Sequence, residues 1–209
     1  MGGCCDDKVF MGMSDAYKRA LLAVILINAV MFFVEFTAGV KSGSQALLAD
    51  SLDFAGDSAT YTISLLVIGS SLRTRAIASL FKGGSLALIA IIILVSSLFR
   101  FFGDTVPVAE TMGLIGVLAL IANLTSLMIL ISWREGDSNQ RSVWLCTRND
   151  AIGNVGVIMA GIVVAITGAA WPDLLVGVFL ASLFLRSSFS IISQARSELQ
   201  SKAALNDIC

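Results

Sequence analysis

Six stretches of this chain run apolar for roughly twenty residues each, and that pattern restricts the fold more than any other feature. They fall at residues 20–40, 46–71, 85–102, 111–132, 143–167 and 173–192. Each is long enough to cross about 30 Å of hydrocarbon as a helix. The expected fold is an all-α membrane protein of six transmembrane helices. A membrane domain over residues 18–195 would lie between a tail at 1–17 and a second tail at 196–209. Composition agrees, with 56% of residues hydrophobic, 14% charged and a mean hydropathy of +0.87. Soluble domains carry about one quarter charged residues, so what is missing is the charge a water-facing surface needs. A net charge of -1 and the lack of any basic stripe exclude nucleic acid as a partner and leave the lipid bilayer. The first stretch does not read as a signal peptide, being too long, carrying Asn28 and Glu35, and leading into another span.

Basic residues set the expected orientation. Lys8, Lys18 and Arg19 precede the first stretch, and Arg73, Arg75 and Lys82 lie between the second and third. Arg134 and Arg141 separate the fourth and fifth, and Arg196 and Lys202 follow the sixth. The opposite loops hold Lys41, with Arg100 near a helix end, and both prolines, Pro107 and Pro172. Excess Lys and Arg marks the cytoplasmic face, so both termini are expected in the cytosol. The roughly 17 residues that follow the sixth stretch cannot bury a core, so no soluble regulatory domain is expected there. The compact length points to a bacterial inner (plasma) membrane.

Within this apolar background the carboxylates stand out. An aspartate at bilayer depth costs several kcal/mol, so it faces a cavity, pairs, or works. Asp50, Asp53 and Asp57 share the second stretch at spacings of three and four, which places them on one helical face. Cys146 and Asp150 in the fifth stretch are again at i and i+4, with Asn154 one turn on. Two such pairs facing each other would converge four donors, a number and chemistry that suit zinc and its neighbours. The competing reading is that these polar groups hold helices together by hydrogen bonds. Several ionised aspartates in one low-dielectric pocket repel, so an empty site would hold protons that a divalent cation must displace. Such competition is the minimum that antiport requires. Histidine is absent, so the carboxylates or the Cys146 thiol would carry the protons, and a His-based hydrolytic triad is impossible.

Gly43-Ser44-Gln45-Ala46-Leu47-Leu48-Ala49-Asp50-Ser51 opening the second stretch, six spans, and i,i+4 pairs in the second and fifth resemble the cation diffusion facilitator family. The resemblance covers roughly residues 18–195. It implies a dimeric metal/proton antiporter, since most members export zinc, cadmium, cobalt, iron or manganese. It also implies a transport site on Asp53, Asp57 and Asp150, with Cys146 where the family usually has His or Asp. A thiolate there would favour soft cations such as cadmium and zinc. Alternatively Cys146 is a small apolar residue, and Asn149 or water completes the shell. Most members carry a cytosolic domain after the sixth span, which the tail here lacks room for. A homodimer would then rest on membrane helices, where Gly153, Gly156 and Gly161 permit close packing between copies or within one.

The expected activity is export of divalent transition metal, zinc or cadmium foremost with cobalt, iron and manganese open, in exchange for protons and with no resident cofactor. A passive cation channel and a non-transporting metal sensor are the alternatives. Asp50 and Asn154 are candidates for supporting the ligands, and Glu35 for a proton path. Cys4 and Cys5 are candidates for peripheral metal capture. Arg148 is turned off the Cys146/Asp150 face by two residues of helix. By these boundaries Asp53 lies in the outer third of its span and Asp150 in the inner third, a gap that helix tilt must close.

Overall fold

The computed structural model describes residues 14–66, 72–103, 105–133 and 138–206. Among the described residues there are six α-helices, one short 3-10 turn at Ile131–Trp133, and no strand. The helices are α1 (Asp15–Ser42), α2 (Gln45–Leu66), α3 (Leu72–Phe101), α4 (Ala109–Leu130), α5 (Ser138–Thr167) and α6 (Trp171–Asn206). Local chemistry accounts for several of their ends. The Ser14 hydroxyl caps α1 by accepting the Tyr17 N–H at 3.2 Å. Asp15 in the first turn and Lys41 in the last match the helix dipole. Gly43 then turns the chain at φ 74, a left-handed conformation that suits glycine.

Five of these helices are long and apolar enough to cross a membrane, namely α1, α3, α4, α5 and α6. α2 falls short because Asp50, Asp53 and Asp57 all fall within its 22 residues. It is also the helix that touches all five others, so its polar residues are screened from lipid by its neighbours. Around it α1 packs on α4, α4 on α5, and α3 pairs with α6. The main core joins Leu47 and Leu52 of α2 to Ile93, Met112, Val157 and Leu180. A second cluster links Tyr17, Leu21 and Val24 with Tyr61 and Leu130. Large apolar side chains such as Leu26, Phe33, Leu114 and Ile166 face outward, as a bilayer requires.

α1, α3, α5 and α6 are longer than the apolar stretches they contain. α3 begins at Leu72, so Arg73, Arg75 and Lys82 sit on helical backbone and not in a loop. Arg141 lies on α5, and α6 continues through Arg196 and Lys202 to Asn206. At about 1.5 Å per residue the 36 residues of α6 span roughly 54 Å, well beyond the hydrocarbon. Hydropathy marks where lipid lies, whereas hydrogen bonding carries the helix on into water. Pro172 is likewise not in a loop. It is the second residue of α6, where its missing N–H removes no helical bond. The notion of Gly161 as a packing surface resolves inward, since a Cβ there would meet Met112 Cβ at 3.0 Å.

One end of the bundle, where the α1–α2 turn meets the end of α3 and the start of α4 and α6, is tied by polar contacts. Asp173 of α6 accepts the Ser44 hydroxyl at 2.5 Å and the N–H groups of Gln45 at 2.8 Å and Ala46 at 3.0 Å. Ser96 of α3 donates to Gln45 Oε1 at 2.6 Å, and Arg100 donates to the Gly43 carbonyl. The Val108 N–H bonds the Ser42 carbonyl at 3.1 Å. α2 is thereby anchored in depth and rotation, which fixes where its aspartates point.

Candidate functional site

Asp53 and Asp57 stand one turn apart on α2, and Asp150 faces them from α5. All three line a single cavity of about 720 Å³. Asn149, Thr60 and Gly153 share its wall, and α6 closes it with Val176, Leu180, Phe184 and Ile191. The difference in depth expected between Asp53 and Asp150 falls within one continuous space. Gly156 also lines it, and a Cβ there would meet nothing within 4 Å. Arg186 of α6 lies along the same cavity and brings the one basic side chain among the described lining residues.

Asp53, Asp57 and Asp150 are partly exposed, and their open side is the cavity. Behind them Tyr61 is buried, one turn further along α2. Its hydroxyl donates to Asp57 Oδ2 at 2.5 Å and lies 3.4 Å from Thr147 Oγ1 of α5. Tyr61 and Thr147 thus link Asp57 to α5 from a buried position outside the cavity lining.

A second tier is fully enclosed. Glu35 of α1, Asp50 of α2 and Asn154 of α5 have at most 1% of their surface exposed. Glu35 and Asp50 are neighbours across α1 and α2. Among the described residues no donor reaches either of them. Two carboxyl groups can hydrogen bond only when a proton lies between them. Asp50 also borders the cavity wall, since a Cβ on Gly153 would sit 3.9 Å from its Oδ1. Asn28 and Asn123 are buried on α1 and α4.

Other expected residues are placed differently. Arg148 is exposed and donates to Asn149 Oδ1 at 3.4 Å, off the carboxylate face as the spacing predicts. The backbone of Cys146 lies on α5, but its side chain falls outside the described residues, as do Cys4 and Cys5 entirely. Among the described residues no three acidic or thiol side chains converge closely enough to hold a metal ion. The three aspartates share a cavity without closing into a coordination shell. Sequence reading missed Tyr61, Thr147, Arg186 and Asp173. Only Tyr61 left a local signal, continuing the 53, 57, 61 spacing of the aspartate face.

The cation efflux transmembrane domain model matches residues 21–200 of the chain. The chain is 30% identical over 198 residues to the zinc transporter ZitB of Yersinia pestis, covering 88% of this chain and 64% of that protein. It is 26% identical over 190 residues to a cadmium, cobalt and zinc/H(+)-K(+) antiporter of Bacillus subtilis, covering 84% and 61%. It is 27% identical over 196 residues to the metal cation efflux system protein CzcD of Cupriavidus metallidurans, again 84% and 61%. The chain spans less than two thirds of the length of these relatives. A match over residues 21–200, carried by a bundle with an acidic central helix, places the chain in the cation efflux, or cation diffusion facilitator, family, one of transporters and not of enzymes.

Proposed function

We propose that this protein exports a divalent transition-metal cation, zinc or cadmium foremost, across a bacterial inner membrane in exchange for protons. Cobalt, iron and manganese belong to the same class of cargo, since carboxylates accept all of them. The observation that carries the reading is that Asp53, Asp57 and Asp150, from two helices, line one cavity inside the bundle. The names of its relatives, a zinc transporter and a cadmium, cobalt and zinc antiporter, support the choice of cargo. The excess of Lys and Arg at the end of the bundle that carries the termini supports a cytosolic placement of both.

The cation enters the cavity and draws oxygen donors from Asp53, Asp57 and Asp150, with Cys146 as fourth donor. Bringing these groups onto one ion requires α2 and α5 to close from the spacing in the structure. Binding expels the protons that keep neighbouring carboxyls compatible in the empty site. Glu35 and Asp50, two buried carboxyls with no donor near them among the described residues, support a proton store directly behind the ligands. Release follows when helices rock about the site and open it to the opposite face. The working unit is a homodimer joined through membrane helices.

Uptake of zinc and cadmium into proteoliposomes with an outward-directed proton gradient tests this. Uptake that needs the gradient and disappears in Asp53→Ala and Asp150→Ala establishes antiport through the site. Uptake indifferent to the gradient would replace this reading with a channel. A protein that binds these metals and moves none would be a sensor.

A further inference from the structure

Tyr61, whose hydroxyl reaches the proposed ligand Asp57, is fully buried, with 1% of its surface exposed. A phenol has a single proton to give. Tyr61 gives it to Asp57 Oδ2, at 2.5 Å. The phenol oxygen also lies 3.4 Å from Thr147 Oγ1 of α5. This arrangement grips one oxygen of Asp57 from behind, while the carboxylate borders the cavity in front. Turning both oxygens onto one ion in the cavity would stretch the short bond and uncover the phenol in an apolar core beside Tyr17 and Leu130.

We propose that Tyr61 is a specificity-determining positioning residue. By holding Asp57 Oδ2 it makes Asp57 a one-oxygen ligand and biases the site towards small four-coordinate cations. The inference rests on the reading that Asp57 binds the cargo. Zinc is satisfied by four donors in a tetrahedron, one from each side chain. Manganese prefers six oxygens, so it gains from every second carboxylate oxygen a site can offer. A grip on Oδ2 therefore acts against manganese more than against zinc. Thr147 reinforces the selection by fixing the phenol from the opposite helix.

The test is a comparison of zinc and manganese transport by the native chain, Tyr61→Phe and Asp57→Ala. Partners that orient a metal ligand are worth about 10–100-fold in metal affinity. Tyr61→Phe is expected to raise the zinc KM about tenfold and to leave manganese unchanged or improved, narrowing the zinc-to-manganese preference by at least that factor. If Tyr61→Phe folds without transporting, the same ratio is read as zinc and manganese Kd in detergent. Thr147→Val moves the ratio in the same direction by a smaller factor and serves where Tyr61→Phe cannot be recovered. A ratio that stays at the native value, or KM values that rise together for both ions, overturns the proposal. Native zinc transport by Asp57→Ala would instead show that Asp57 is not a ligand, which overturns the reading beneath it.

Discussion

The carboxylate of Asp173 in α6 sits on the N-terminus of α2, 128 residues away in sequence, and accepts the Gln45 N–H at 2.8 Å. A helix start leaves its first N–H groups without partners, and an acidic group there both satisfies them and complements the dipole. Here the cap comes from another helix, so it also docks α6 against α2. Asp173→Ala leaves the Gln45 and Ala46 N–H groups and the Ser44 hydroxyl without this acceptor in a buried place. Orphaned buried donors cost about 1–3 kcal/mol each, and at least about 2 kcal/mol in total is expected. Asp173→Asn keeps an acceptor and is expected to lose less. Thermal unfolding in detergent orders the three proteins as native, Asn, Ala; an alanine variant as stable as the native chain would remove the cap from the account.

The same junction depends on Gly177. A Cβ there would lie 2.8 Å from the Gln45 carbonyl carbon, which is backbone and cannot swing aside. Gly177→Ala is expected to push α6 off α2 at a cost of about 1–3 kcal/mol, with loss of transport as the cavity wall shifts. Gly156→Ala is the matched control, because a Cβ there meets nothing within 4 Å. A Gly177 variant that melts with the Gly156 variant would show that the approach of the two helices is slack.

What could be read from sequence follows from how far each interaction reaches along the chain. Spans were legible because lipid imposes length and polarity on each helix separately. The aspartate face was legible because 53 and 57 are one turn apart, and turns are local. Asp173 was not, since its partners lie at Ser44, Gln45 and Ala46 and nothing near Pro172 signals them. Tyr61 shows in sequence only as the next step of the 53, 57 spacing, and its partner Thr147 is brought against it by the α2–α5 crossing. Helix ends at Leu72 and Asn206 escaped because charged side chains on a helix in water leave no break in its backbone. The shared cavity of Asp53 and Asp150 likewise depends on packing that hydropathy boundaries do not carry.

The enclosed pair of Glu35 and Asp50 gives a prediction about protons. A glutamine in place of Glu35 can donate an N–H to Asp50, which Glu35 can do only when protonated. Glu35→Gln is therefore expected to fold as the native chain does and to release fewer protons for each zinc bound. A pH dye in weakly buffered detergent solution reads that release directly on adding zinc. Native proton release from this variant would assign the exchange to Asp53, Asp57 and Asp150 alone.

Cys146 offers the sharpest separation of two chemistries. Its place on α5, one turn before Asp150, is fixed by the helix, and the relatives of this chain include both zinc and cadmium transporters by name. A thiolate ligand is soft and favours cadmium over a hard oxygen donor, whereas a small apolar cysteine makes no such distinction. Cys146→Ser keeps the size of the side chain and replaces sulfur by oxygen. As a ligand swap it is expected to weaken cadmium transport by at least roughly tenfold, the scale that even outer partners of a metal carry, and zinc transport by less. Cys146→Ala should then depress both ions. Cadmium and zinc KM values measured side by side decide it: a serine variant that treats both metals as the native chain does makes Cys146 a packing residue and leaves the fourth position to Asn149 or water.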